Sequence, residues 1–140
     1  MNVFTYGSLM YPQVWSKVVR GDYRSTAACL YGYVRLKIRG ELYPAMVADA
    51  AAAMVAGRLY KGVDGADIVR LDRFEGDYYQ RITAVCEDQS GGSVNAGVYV
   101  FKPDYRHLIQ NEPWEPRWFE RVGLEAFVAR YQGFERPHTK

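Results

Sequence analysis

Cysteine is scarce in this 140-residue chain, which has Cys29 and Cys86 only and no CxxC pair. A small secreted scaffold held by disulfides would carry more, and a zinc site would need a denser Cys/His cluster. The two histidines, His107 and His138, are remote from both cysteines in sequence and sit in polar, turn-like contexts. No metal and no other cofactor is therefore expected. Charge of one sign is also missing: 18 Lys and Arg against 16 Asp and Glu leave a net +2. That is too little to argue for nucleic acid or an acidic lipid surface. Nor is there an apolar run near the ~18 residues of a membrane span. The N-terminal MNVFTYGSLMYP lacks the basic and apolar regions of a secretory signal. These absences point to a cytoplasmic protein that does not bind membranes, and none of them specifies an oligomeric state.

What the chain does have is tyrosine, 12 residues, within an ordinary 49% hydrophobic composition. Its length suits one core. The expectation is a single domain over 1–132 and a flexible tail over 133–140.

Residues 2–5 read as a short buried strand ended by Tyr6-Gly7-Ser8, then a helix from about Pro12 to Val19 with Val14 and Val18 on its apolar face. From Ala27 to Ile38 the period is two. Ala28, Leu30, Gly32, Val34, Leu36 and Ile38 share one face, which predicts one long strand bent at Gly32. Residues 41–48 read as an edge or bulged strand because of Pro44, and 53–60 alternate again. A helix is predicted over 64–75, capped by Asp64 and ended by Gly76. Strands follow at 79–87 and 94–101 around a turn at Ser90-Gly91-Gly92, and a last helix spans about Arg117 to Tyr131, with Gly123 as a kink. The sum is an α+β fold, a small mixed β-barrel of about six strands with a few packed helices.

One residue breaks the pattern of the 64–75 helix. Glu75 lies four residues after Leu71 and seven after Ile68, on the apolar stripe, whereas Asp67, Arg70 and Arg73 fall on faces open to solvent. A carboxylate taken out of water has its pKa raised, and a carboxyl near neutrality can both accept and donate a proton. Two plainer readings stand beside this one: a last turn that frays outward, and an ion pair with Arg81. The second constellation is Tyr6-Gly7-Ser8-Leu9, between a strand and a helix. Backbone N–H groups at such a junction suit an anion, though the same residues also make an ordinary turn.

YGSL, YPAMV, GRLY, LDRFEGDYYQR and GVYVF, in this order over residues 2–101, together resemble the γ-glutamylcyclotransferase-like family. The likeness is to its small branch of γ-glutamylamine cyclotransferases and AIG2-like proteins. The resemblance implies a small mixed barrel and release of 5-oxoproline from a small-molecule γ-glutamyl substrate. It implies that Glu75, in the FEG motif, is the catalytic acid/base, and that Gly7, Ser8 and Leu9 line the substrate pocket. By the same likeness Tyr6 packs or hydrogen-bonds at the pocket floor, and Tyr79 contacts substrate or Glu75. Core packing is the other role open to both tyrosines. Arg81 is a structural support and YPAMV a pocket wall, with Ala45 where the family more often has Gly.

Other functions compatible with the sequence are binding of a γ-glutamyl-like metabolite or a partner without turnover, and cleavage of a different amide. Residues 102–118 would then form either the wall on the leaving-group side or a surface loop with buried tryptophans. A third is a barrel surface for single-stranded nucleic acid, formed by Tyr31, Tyr33, Arg35, Lys37 and Arg39 along one strand face; the weak net charge argues for no nucleic-acid partner.

Overall fold

Strands with a period of two build most of the chain. In the computed structural model, residues 1–51 and 54–130 are described. The strands are β1 Val3–Thr5, β2 Ser25–Leu30, β3 Tyr33–Ile38, β4 Pro44–Ala48, β5 Val55–Tyr60, β6 Tyr79–Asp88, β7 Ser93–Phe101 and β8 Ile109–Pro113. Helix α1 spans Pro12–Val18, α2 Gly65–Glu75, α3 Pro116–Trp118 and α4 Leu124–Arg130, with a wide π-type turn over Phe119–Gly123 joining the last two.

Five strands close a barrel in the order β1-β5-β2-β6-β7, and the other three form a sheet in the order β4-β3-β8. All barrel pairs are antiparallel except β1 with β7, which is parallel, so the barrel is mixed as expected. Alternate residues of its strands, among them Phe4, Leu30, Leu59 and Val98, cluster on one side, and Met46 of β4 joins them. A second cluster, including Val3, Leu71, Phe74, Trp114, Phe119 and Phe127, packs the helices against the outside. Pro44 opens β4 at the edge of its sheet, where a missing N–H costs nothing.

Three expectations need correction. The long strand over 27–38 is two strands in two different sheets, divided at Tyr31-Gly32, where Gly32 has φ 84°. A two-residue turn keeps the alternation in phase, so the period alone cannot reveal the break. Segment 102–118 contains a short three-ten turn, Pro103–Leu108, and strand β8; the sequence of β8, IQNEP, is polar because most of it is exposed. The expected tail over 133–140, His138 and the C-terminal end of the last helix at Tyr131 lie outside the described residues, as does Ala53.

The third correction concerns Asp67. It is 1% exposed, not solvated. Its carboxylate accepts hydrogen bonds from the N–H groups of Arg20 and Gly21, both at 2.9 Å, and from the Tyr23 hydroxyl at 2.6 Å, and pairs with Arg70 at 2.5 Å. Three of these partners come from the segment after α1, far away in sequence, so a helix-face pattern cannot show them. Burial alone would push this carboxyl up. The bonds from Tyr23, Arg20, Gly21 and Arg70 outweigh burial and hold it well below the usual carboxylate range.

A pKa lowered by folding stabilises the protein fully above the unfolded value of ~4, and the gain is lost as pH falls through the folded value. Replacing Asp67 by Ala leaves buried donors unmet and is expected to cost about 3 kcal/mol at pH 7 in urea unfolding. That difference from wild type should shrink as the pH drops below ~4. An equal difference at pH 7 and pH 3 would contradict the assignment.

Candidate active site

The site begins with the way α2 ends. Asp64 caps its start by accepting from Asp67 N–H, and Gly76 stops it with φ 77°, a conformation that side chains resist. The last turn is thereby fixed. Phe74 packs edge-on against Phe127, with ring centroids 6.4 Å apart. Glu75, the final helical residue, is 9% exposed, so the frayed alternative does not hold.

Glu75 lines a pocket of about 350 Å3, open mouth included. One wall is the exit of β1, Thr5 to Leu9. A second is Tyr43 and Pro44 at the start of β4, and the barrel contributes Phe4, Tyr79 and Tyr99. All six residues singled out in the sequence, namely Tyr6, Gly7, Ser8, Leu9, Glu75 and Tyr79, therefore meet around one cavity. YPAMV contributes Tyr43 and Pro44 to its wall.

Hydrogen bonds fix the cavity's frame. The Tyr6 hydroxyl donates to Tyr99 O at 2.5 Å, and the Tyr79 hydroxyl to Pro44 O at 2.6 Å. The Tyr99 hydroxyl donates to Asp72 Oδ1 at 2.6 Å, and Asp72 is held in turn by Arg81 Nε at 2.9 Å and Nη2 at 3.2 Å. Arg81 thus pairs with Asp72, which corrects the alternative of a pair with Glu75. Burial, the bond to Asp72 and the nearby charge of Glu75 push the Tyr99 hydroxyl far above the usual tyrosine range. Tyr99 keeps its proton, and that proton is directed to Asp72.

The loop after β1 folds as a single three-ten turn, Ser8–Met10. Its carbonyls at Gly7 and Ser8 accept from Met10 N–H at 3.0 Å and Tyr11 N–H at 3.2 Å. Among the described residues, the N–H groups of Gly7, Ser8 and Leu9 take no part in these turn bonds. Gly7 is required by close approach: a Cβ there would sit 2.8 Å from Cγ and Cδ of Pro44.

Sequence reasoning missed Tyr99 and Asp72. Tyr99 lies within the GVYVF strand and faces Arg81 across the β6–β7 ladder. Asp72 lies three residues before Glu75, close to one helical turn, and the pairing of β6 with β7 is the signal that links them. Segment 102–118 does not line this pocket among the described residues; Trp114 is buried instead, with its Nε1 donating to Leu42 O at 2.8 Å. The aromatic and basic face proposed for single strands is broken up. Tyr31 is exposed at the turn, Arg35 donates to Tyr6 O, and Lys37 pairs with Glu112 at 3.0 Å over the Trp118 ring. Among the described residues, no group of three or more His, Cys, Asp or Glu is placed for a metal ion, and no helix is long and apolar enough to cross a membrane.

The sequence model of the family described as gamma-glutamyl cyclotransferase, AIG2-like, matches residues 3–116. AIG2-like protein A of Arabidopsis thaliana is 35% identical over 131 residues, covering 90% of this chain and 78% of that protein. Protein AIG2 C of the same plant is 30% identical over 134 residues, covering 94% of this chain and 79% of that one. An Arabidopsis thaliana solution structure at 30% identity superposes with a TM-score of 0.71, covering 91% of this chain and 77% of that chain.

The contact between loop and β4 gives a direct test of the frame. Gly7→Ala is expected to lower stability by about 1–3 kcal/mol through overpacking. Removing the Pro44 ring in the Gly7→Ala, Pro44→Ala double variant should recover part of that loss, so that the two changes couple in a double-mutant cycle. Strict additivity in urea unfolding would mean that the contact is not made.

Proposed function

The chain belongs to the AIG2-like gamma-glutamyl cyclotransferase family, and on that premise we propose that it releases 5-oxoproline and a free amine from a γ-glutamyl amine, with Glu75 as general acid and base. The observation that carries the proposal is the nearly buried Glu75 carboxyl, the one carboxyl among the described residues that line the pocket together with Gly7, Ser8 and Leu9.

The nucleophile is carried by the substrate. Its α-nitrogen attacks its own γ-carbonyl carbon, forming the ring C–N bond, and a proton passes from that nitrogen to Glu75. The carbonyl oxygen becomes an oxyanion. As it collapses, the bond to the leaving nitrogen breaks and Glu75 returns the proton to that nitrogen. No enzyme-borne nucleophile is needed, and folding the glutamyl chain for attack supplies much of the rate, because intramolecular reactions gain from orientation. The N–H groups of Gly7 to Leu9 suit the substrate carboxylate or the developing oxyanion. Tyr6 and Tyr79 spend hydroxyl protons on backbone carbonyls and so act as walls and struts.

A panel of γ-glutamyl amines, γ-glutamyl dipeptides and glutathione tests the reaction class by 5-oxoproline release. Wild type should turn over at least one substrate class, and Glu75→Gln should reduce kcat/KM by ~100-fold or more. Equal release by both proteins would remove Glu75 from its role. No release by either, with both folded, would point to a metabolite-binding protein or a different amide.

A further inference from the structure

Arg35 lies outside the pocket, on β3 of the second sheet, yet its side chain crosses to the loop that lines the pocket. Its Nη1 donates to Tyr6 O at 2.8 Å and to Ala56 O at 3.1 Å. The guanidinium lies 5.2 Å from the centre of the Trp114 ring, and Nε is shut off from solvent with no hydrogen-bond partner among the described residues. Burial pushes this guanidinium's pKa down, while the nearby Glu115 carboxylate favours the cation. A half-buried cation with one donor unmade is a poor stabiliser, and an apolar side chain of similar length would pack as well against Trp114.

The carbonyl it holds belongs to the peptide between Tyr6 and Gly7. That peptide is trans, since the chain has no cis bond among the described residues. In a planar trans peptide the C=O and the N–H point in opposite directions. Gly7 lines the pocket and Arg35 does not. We propose that Arg35 is a positioning residue for the reaction: by holding Tyr6 O from behind, it turns the Gly7 N–H into the pocket as the donor for the substrate carboxylate or oxyanion. A cation on the carbonyl also polarises the peptide and strengthens its N–H as a donor. This rests on the cyclotransferase reading above for its catalytic consequence, but not for its geometry.

The test uses Arg35→Met, Arg35→Lys and, as a control two residues along the same strand, Lys37→Met. Three readouts are needed: the Gly7 amide resonance, kcat and KM for 5-oxoproline release, and the thermal midpoint. In folded Arg35→Met the Gly7 amide should shift while the Tyr79 amide stays, and kcat/KM should fall by about tenfold or more. The loss falls in KM if the donor serves the carboxylate and in kcat if it serves the oxyanion. Arg35→Lys, which keeps one charged donor, should recover part of the loss, and Lys37→Met should stay within about twofold of wild type. An unmoved Gly7 amide, or kcat/KM in Arg35→Met within about twofold of wild type, would overturn the proposal. If Arg35→Met does not fold, the same criteria apply to Arg35→Lys, with a smaller expected change. If wild type releases no 5-oxoproline from any substrate, the cyclotransferase reading fails and the Gly7 amide alone decides the role of Arg35.

Discussion

The parallel pairing of β1 with β7 is the constraint on which the site depends. Val3 lies opposite Gly97 and Phe4 opposite Val98, and the Gly97 N–H donates to Asn2 O at 2.7 Å. Two parallel strands leave the barrel at the same end. Antiparallel pairing of β6 with β7 sets Tyr79 beside Phe101, so β6 begins at that end too. Helix α2 stops at Glu75, four residues before Tyr79. The loop after β1 and the carboxylate at the end of α2 are far apart in the chain, and strand direction alone brings them to one mouth. The bond from the Tyr6 hydroxyl to Tyr99 O then ties the start of the loop after β1 to β7.

Beside Glu75 on the same helix, Asp72 is the acidic partner of Arg81. Asp72 also accepts the hydrogen bond of the Tyr99 hydroxyl. Asp72 and Glu75 share a helix but differ in surroundings: Asp72 is partly open and ion-paired, and Glu75 is nearly buried at an apolar wall. Burial first, then the bond to Asp72 and the nearby negative charges, explain why Tyr99 holds its proton so firmly. The opposite flank of the site is backbone, and its direction is controlled from outside the pocket by Arg35.

The helix of 64–75 was legible in the sequence because its caps are local: Asp64 and Gly76 mark its ends, and the Ile68–Leu71–Glu75 spacing puts the carboxylate inward. The mixed barrel and the hairpin over Ser90-Gly91-Gly92 were legible for the same reason, since alternation and turn residues are local signals. What stayed hidden was long-range. The division at Tyr31-Gly32 preserves the alternation it interrupts. Asp67 looks solvated on its own helix and is buried by the segment after α1. Tyr99 and Asp72 join the site only through strand register, and Arg35 only through the packing of the second sheet on the barrel.

The most direct single measurement is a crystal structure of the protein with 5-oxoproline bound. The lactam should occupy the pocket between Glu75 and the loop, with its carboxylate or ring carbonyl on the N–H groups of Gly7 to Leu9 and its ring amide within hydrogen-bond distance of the Glu75 carboxyl. Binding elsewhere on the surface, or an empty pocket at saturating 5-oxoproline, would contradict the assignment of this cavity as the γ-glutamyl site.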